Sequence, residues 1–275
     1  MESRPRKRFA QHWLRSDKVL FKIVEAANLS PTDRLLEIGP GTGVLTQKLL
    51  PYAESVVAVE IDRDLYRKLN KKFKQYDNFL LLSGDILSLD LEGAIAQHDP
   101  KFQQPNKVVA NIPYNITGPI LEKLLGRISE PAAVPYESIV LLVQKEVADR
   151  LYAEPGKKAF GALSVRVQYL ADCELICPVP ARAFYPPPKV DSAVVRLSPR
   201  SIPTPANDPR KLEMLVKVGF ANKRKMLRNN LKGLVEGDRL TQILEQLEIN
   251  PQARAENLTV AQWVALSNTL SLSNS

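Results

Sequence analysis

Apolar residues gather in short unbroken runs, separated by segments in which they recur at helical spacing. Arg34-Leu35-Leu36-Glu37-Ile38, Ser55-Val56-Val57-Ala58-Val59, Phe79-Leu80-Leu81-Leu82, Lys107-Val108-Val109-Ala110 and Ser138 to Val143 read as strands buried on both faces, the pattern of a parallel sheet. A helix is expected from Asp17, which caps it, with Leu20, Val24 and Ala27 on one face and Ser30-Pro31-Thr32-Asp33 as its breaker. Further helices are expected from near Val44 and over Gly118 to Arg127. Strands alternating with helices predict an α/β fold built on a doubly wound parallel sheet. Ala193 to Leu197 is a final strand, Pro199, Pro203, Pro205 and Pro209 punctuate a linker, and only helical patterns follow Arg210. Among these, Thr259-Val260-Ala261-Gln262 has the form of a capping box. The expected organisation is a domain over 1–200 and a small all-helical domain over 201–275.

Parallel sheets of this kind bind ligands beyond the carboxyl ends of their strands, so the residues after each apolar run matter most. The first run leads into Gly39-Pro40-Gly41-Thr42-Gly43. A dinucleotide fingerprint needs glycine where Val44 stands, and a phosphate loop needs Gly-Lys-Ser/Thr, which is absent. The spacing suits a nucleoside without phosphates, such as S-adenosylmethionine. Glu60 ends the second run and can accept from both ribose hydroxyls, and Asp85, in Ser83-Gly84-Asp85, can face an adenine amino group. For either acid a helix cap is the plain alternative. Asn111-Ile112-Pro113-Tyr114 follows the fourth run. Pro113 pushes Ile112 toward an extended conformation, which lets the Asn111 amide oxygen and the Ile112 carbonyl point the same way beside the Tyr114 ring. Two acceptors and a flat ring suit a planar base with an amino group, although a strand-ending turn with a packed tyrosine has the same residues. Phe184-Tyr185-Pro186-Pro187-Pro188-Lys189-Val190-Asp191-Ser192 is a stiff loop whose Phe184 can cover the second face of a base stacked on Tyr114, or merely anchor a surface polyproline turn.

Charge sharpens this picture. The chain has 275 residues, 44% of them hydrophobic, and 38 Lys and Arg against 30 Asp and Glu, for a net charge of +8 that points to a polyanionic partner. Between Met214 and Val235 lie Lys217, Lys223, Arg224, Lys225, Arg228 and Lys232 without a single acid. Arg224, Arg228 and Lys232 fall at four-residue spacing beside a stripe of Leu227, Leu231 and Leu234, so the charged stripe is expected to face RNA and the leucines the domain core, a solvated face being the alternative. Arg4, Arg6, Lys7 and Arg8 form a basic arm. Cys173 and Cys177 have neither the number nor the neighbours for a disulfide framework or zinc site, and no metal is expected. His12 and His98 are the only histidines, and neither builds a Cys-His nucleophile pair. No apolar run approaches membrane-spanning length and the N-terminus lacks a signal core, so a cytoplasmic protein without membrane contact is expected.

With Gln11-His12-Trp13-Leu14, Glu37 to Gly43, Asn111 to Tyr114, Phe184 to Ser192 and Arg228-Asn229-Asn230-Leu231, the chain resembles the small-subunit ribosomal RNA adenine dimethyltransferases over nearly its whole length, the bacterial 16S rRNA enzymes above all. The resemblance implies a Rossmann-like S-adenosylmethionine-dependent methyltransferase fold: a seven-stranded mixed sheet with an antiparallel hairpin at its end, followed by the small helical domain. It implies that His12, Leu14, Gly39, Glu60, Asp85 and Asn111 contact the cofactor and that Asn111, Tyr114 and Phe184 hold the target base. Lys223, Arg224, Lys225, Arg228 and Lys232 are then the RNA-binding candidates. The implied reaction places two methyl groups on N6 of each of two adjacent adenines near the 3′ end of 16S rRNA during small-subunit biogenesis. The partner is a small ribosomal subunit precursor, and a monomer is expected. Trp13 stands where phenylalanine is usual, and Met226 where threonine is. The rivals are the large-subunit rRNA methylase of macrolide resistance and a non-catalytic assembly factor that keeps the fold.

Overall fold

The computed structural model describes residues 11–202 and 204–272, so the basic arm at Arg4 to Arg8 and Pro203 lie outside the described residues. The chain opens with β1 (Trp13–Leu14) and α1 (Asp17–Ala27), then alternates through β2 (Arg34–Ile38), α2 (Val44–Leu49), β3 (Ser55–Glu60), α3 (Arg63–Lys72), β4 (Phe79–Ser83), α4 (Leu91–Ala96), β5 (Lys107–Asn111), α5 (Thr117–Leu125), β6 (Ser138–Gln144) and α6 (Lys145–Leu151). Then come α7 (Ala162–Leu170), β7 (Ala171–Val179), β8 (Phe184–Tyr185) and β9 (Ser192–Pro199), and helices alone thereafter: α8 (Pro209–Gly219), α9 (Leu227–Leu231), α10 (Gly237–Gln246) and α11 (Val260–Leu272). The five strands expected from apolar runs all form. Ser16, not Asp17, occupies the N-cap of α1; Asp17 is the first helical residue, where its charge still favours the helix dipole.

Seven strands make one sheet in the order β4-β3-β2-β5-β6-β9-β7. The pairs β2–β3, β3–β4, β2–β5 and β5–β6 are parallel, and β9 runs antiparallel to β6, so the sheet is mixed. Val56, Val57, Ala58, Val108, Val109 and Ala110 have no exposed surface, which is why these strands carry no polar alternation. The opposite edge from the site is pinned by Asp33. Its carboxylate accepts from Lys107 Nζ at 2.8 Å, Asn106 Nδ2 at 2.8 Å and the Ser30 N–H at 2.6 Å. Burial works to raise this carboxyl, but the bonds from Lys107, Asn106 and Ser30 outweigh it and hold it below the usual carboxylate range.

Two compact units are present. One holds the described residues up to Leu124 with Val134–Ala148 and Glu174–Pro199; the other holds Leu125–Ala133, Asp149–Cys173 and the chain from Arg200. The expected boundary at 200 thus marks only the last crossing, since two earlier stretches, including all of α7, cluster with the C-terminal helices. In that helical unit Leu212, Leu215, Val216, Leu227, Leu231, Leu240, Leu244 and Trp263 are buried. Gly219 has no room for a side chain, because a Cβ there would lie 2.5 Å from Trp263 Cη2. The capping box forms as expected, with Thr259 N–H donating to Gln262 Oε1 at 2.9 Å and Gln262 N–H to Thr259 Oγ1 at 3.1 Å.

Candidate cofactor and base site

Strand register places the candidate side chains along one edge of the sheet. Ile38 pairs with Val59 and with Ala110, Glu60 with Ser83, and Asn111 with Leu142, so the residues that follow these strands are neighbours in space. Here a cavity is lined by Gln11, His12, Trp13, Leu14, Gly39, Gly41, Glu37, Glu60, Ile61 and Asn111 to Tyr114, among others.

The glycine loop is built for close approach. Gly39, Gly41 and Gly43 have φ of +67°, +61° and +75°, the left-handed region that side chains disfavour, and a Cβ on Gly43 would meet Phe73 Cε2 at 2.5 Å. Glu60 Oε2 accepts the Gly41 N–H at 3.1 Å and Oε1 the Asp62 N–H at 2.8 Å. Burial nonetheless raises its carboxyl above the ordinary range. Glu37 is more extreme. It is 1% exposed with Oε2 lacking a hydrogen-bond partner, and burial, with Glu60 adding to it against the opposing pull of Thr46 and Lys72, pushes its carboxyl up to about 8. The lining contains these two acids and no lysine or arginine, so no side-chain cation on the wall repels a ligand bearing positive charge.

The Asn111 turn is held from two sides. Asn111 Nδ2 donates to the His12 carbonyl at 3.4 Å, which turns its amide oxygen the other way, and Ile112 N–H donates to the Leu142 carbonyl at 3.2 Å. Pro113, at φ −57° and ψ 131°, then lets Tyr114 start a single 3-10 turn ahead of α5. The Tyr114 hydroxyl and Ser192 Oγ are 2.7 Å apart, and burial lifts the phenol above its usual range although the Ser192 bond opposes this. The His12 ring stacks on Tyr114 with centroids 5.7 Å apart and 19° between planes, while Nδ1 lies 2.7 Å from the Pro186 carbonyl and donates to it. Ser192 is fully buried and was not singled out from the sequence; its place where the Pro-rich loop passes into a strand was the available signal.

Two candidates stand off the cavity wall. Asp85 lies two residues beyond Ser83, the partner of Glu60, and its Oδ1 accepts the Leu87 N–H at 3.0 Å in a local turn; it caps no helix, since Asp90 holds the N-cap of α4. Phe184 pairs with Leu14 across β1 and β8, is 4% exposed, and belongs to the core cluster with Leu14, Leu20 and Val194. A ring so buried offers no open face to a base. Gln11, Trp13, Glu37 and Ile61 line the cavity and were not assigned roles from the sequence.

In the helical unit Lys223, Arg224, Lys225, Arg228 and Lys232 are all exposed. They do not form one helical stripe. The chain turns at 221–225 and α9 covers only Leu227–Leu231, so Arg224 precedes the helix and Lys232 follows it. Leu227 and Leu231 face the core as expected, but Leu234 is 43% exposed. Asn230 Nδ2 ties the segment down by donating to the Gly219 carbonyl at 2.6 Å and the Asn222 carbonyl at 3.0 Å. Lys223 Nζ donates to the Phe160 carbonyl at 2.8 Å, so its charge is partly spent on structure. Among the described residues no group of histidine, cysteine and acidic side chains suits a metal ion, and no helix is long and apolar enough to cross a membrane.

A mixed seven-stranded sheet with a glycine loop and Asn-Ile-Pro-Tyr turn at its strand ends defines a Rossmann-like methyltransferase. The ribosomal RNA adenine dimethylase profile matches residues 2–272, and the chain belongs to that family. It is 67% identical to the ribosomal RNA small subunit methyltransferase A of Nostoc sp. PCC 7120, over 97% of this chain and 98% of that one, and 64% identical to its namesake from Rippkaea orientalis, over 97% of each. Among solved structures it is similar to a dimethyladenosine transferase from Plasmodium falciparum (27% identity, TM-score 0.80, 96% and 98% coverage) and to the 23S rRNA methyltransferase ErmE (28%, 0.73, 94% and 99%).

Proposed function

We propose that this protein uses S-adenosylmethionine to dimethylate N6 of two adjacent adenines near the 3′ end of small-subunit ribosomal RNA, in the cytoplasm and in the course of subunit assembly. The orientation of the Asn111 amide by the His12 carbonyl is the observation that carries the reading, because it leaves the amide oxygen as a fixed acceptor at the cavity. The cavity fits the cofactor: its wall holds two acids and no lysine or arginine to repel a sulfonium or ammonium group, and Gly39 and Gly41 turn through the left-handed region along it. Glu60 would hold the ribose, the Gly39 to Gly43 loop the methionine part, with the backbone of His12 and Leu14 closing one side and Asp85 near the adenine. When bound, S-adenosylmethionine supplies an electrophilic methyl group.

The chain's own residues then do three things. Asn111 and the Ile112 carbonyl accept the hydrogens of the adenine amine, stabilising the positive charge that grows on nitrogen as it attacks. Tyr114, held by Ser192, supplies a stacking face for the base turned out of the RNA. No base need remove the proton first, because the amine becomes acidic only after it has become cationic. Phe184 can add a second face only by leaving its place beneath Leu14; where it stands, it supports the cavity wall. The exposed segment from Lys223 to Lys232 supplies phosphate contacts.

Greater identity to relatives named for the small subunit than to the 23S enzyme favours the small subunit as substrate. Incubation with labelled S-adenosylmethionine and unmethylated small or large subunits tests it. Label should appear as dimethyladenine in small-subunit rRNA; label confined to the large subunit would move the substrate to the rival class.

A further inference from the structure

Trp13 has a buried polar atom with no role so far. Its indole Nε1 is shielded from solvent and has no hydrogen-bond partner, an arrangement that is costly unless a ligand completes it. The two-residue strand β1 pairs Trp13 with Tyr185, and this sets the indole across the glycine loop: Cδ1 and Nε1 lie 3.6 and 3.8 Å from where a Gly41 Cβ would stand. The edge of the ring that bears the N–H therefore borders the cavity at the loop proposed to hold the methionine part.

Charge in the cavity selects the group this donor would meet. S-adenosylmethionine carries a sulfonium, an ammonium and a carboxylate. The acids Glu37 and Glu60 on the wall cannot bind that anion, and no lysine or arginine lines the cavity to answer it. Neutral N–H donors must receive it. Asn111 Nδ2 is spent on the His12 carbonyl, His12 Nδ1 on the Pro186 carbonyl, and the Gly41 N–H on Glu60. Among the polar side chains of that wall, Trp13 keeps a buried donor with nothing to give it to. Resting on the cofactor reading above, we infer that the Trp13 indole N–H is a cofactor-specificity contact that donates to the carboxylate of the methionine moiety.

Trp13→Phe keeps an aromatic ring while deleting the donor. Replacing Trp13 by β-(3-benzothienyl)alanine deletes the same N–H and keeps the full bicyclic shape, which guards against a packing artefact. Calorimetric titration of each variant with S-adenosylmethionine, S-adenosylhomocysteine and decarboxylated S-adenosylmethionine reads the contact without any turnover. Both variants should bind the two carboxylate-bearing ligands about 10-fold or more weakly than wild type, the scale for a hydrogen bond to a charged group. Binding of the decarboxylated ligand should be unchanged. Equal affinity of wild type and both variants for S-adenosylhomocysteine would overturn the assignment. So would a loss seen for both sulfonium ligands but not for S-adenosylhomocysteine, which would point to the ring face and not the N–H. Failure of the wild type to bind any of the three would instead defeat the cofactor reading itself.

Discussion

The strand-end edge of the α/β unit and the basic segment of the helical unit hold their functional side chains in opposite ways. At the edge, Glu60 is tied to two backbone N–H groups, Asn111 to a carbonyl and Tyr114 to a buried serine. Between residues 223 and 232 the cations stand in solvent on a turn, a five-residue helix and the residue that ends it, with the Lys223 ammonium bound to backbone. Methyl transfer needs groups fixed before the substrate arrives, whereas adhesion to a phosphate backbone needs only charge of the right sign nearby. Single substitutions should therefore have large effects at the edge and small, additive ones in the basic segment.

The largest effect is expected at the opposite edge of the same sheet. Asp33→Ala leaves the Lys107 ammonium, on a side chain 11% exposed, without its carboxylate and with the Asn28 carbonyl as its acceptor, and should destabilise the fold by about 3–5 kcal/mol in chemical denaturation. Its pH dependence has a fixed sign. Since the folded-state pKa lies below the unfolded value near 3.8, the wild type keeps this contribution above that pH and loses it as the pH falls through the lowered value. A mutant as stable as wild type at pH 7 would show that the sheet does not depend on this anchor.

Next comes the chemistry itself. Asn111→Ala removes a preorganised acceptor for developing charge and should slow methyl transfer by on the order of 100- to 1000-fold with the fold intact. Single-turnover rates near wild type would remove Asn111 from its role. Glu60→Ala follows, with cofactor affinity weakened by about 1.5–3 kcal/mol. Calorimetry is the check, and it also exposes a structural side effect: because Glu60 braces Gly41, thermal melting should fall slightly as well.

Most of this edge was legible because parallel strands advertise themselves twice, by unbroken apolar runs and by the polar turn that must follow each one. What escaped were contacts across distant chain segments. Phe184 looks like a free aromatic on a loop, yet pairing with Leu14, 170 positions earlier in number, draws it into the core. Strand β7 was hidden because Asp172, Glu174 and Pro178 interrupt its apolar residues; it is an edge strand and has one face and one side open to water, so the sequence is free to be polar there. The single charged stripe failed for a local reason. Spacing alone treats 224–232 as continuous helix, whereas Met226, at φ −59° and ψ 148°, breaks it, and the Asn230 amide holds the break in place.

That break makes the smallest effect the most informative. If Arg224, Arg228 and Lys232 meet phosphates, each lost contact reduces the slope of log affinity against log salt by about 0.7–0.9, so changing all three to Gln should flatten it by about 2 to 3 units. Their separation between turn and helix does not weaken this expectation, because counterion release counts neutralised phosphates and not alignment along a helix. Lys223→Gln should behave differently. Its ammonium is engaged by the Phe160 carbonyl, so its loss should lower the stability of the helical unit more than it changes the salt slope. Measuring affinity for small-subunit rRNA fragments over a salt series, with melting temperature alongside, separates the two kinds of cation. An unchanged slope in the triple mutant would leave the segment a solvated surface, and a slope change for Lys223→Gln equal to that of Arg228→Gln would show that its backbone contacts yield to RNA.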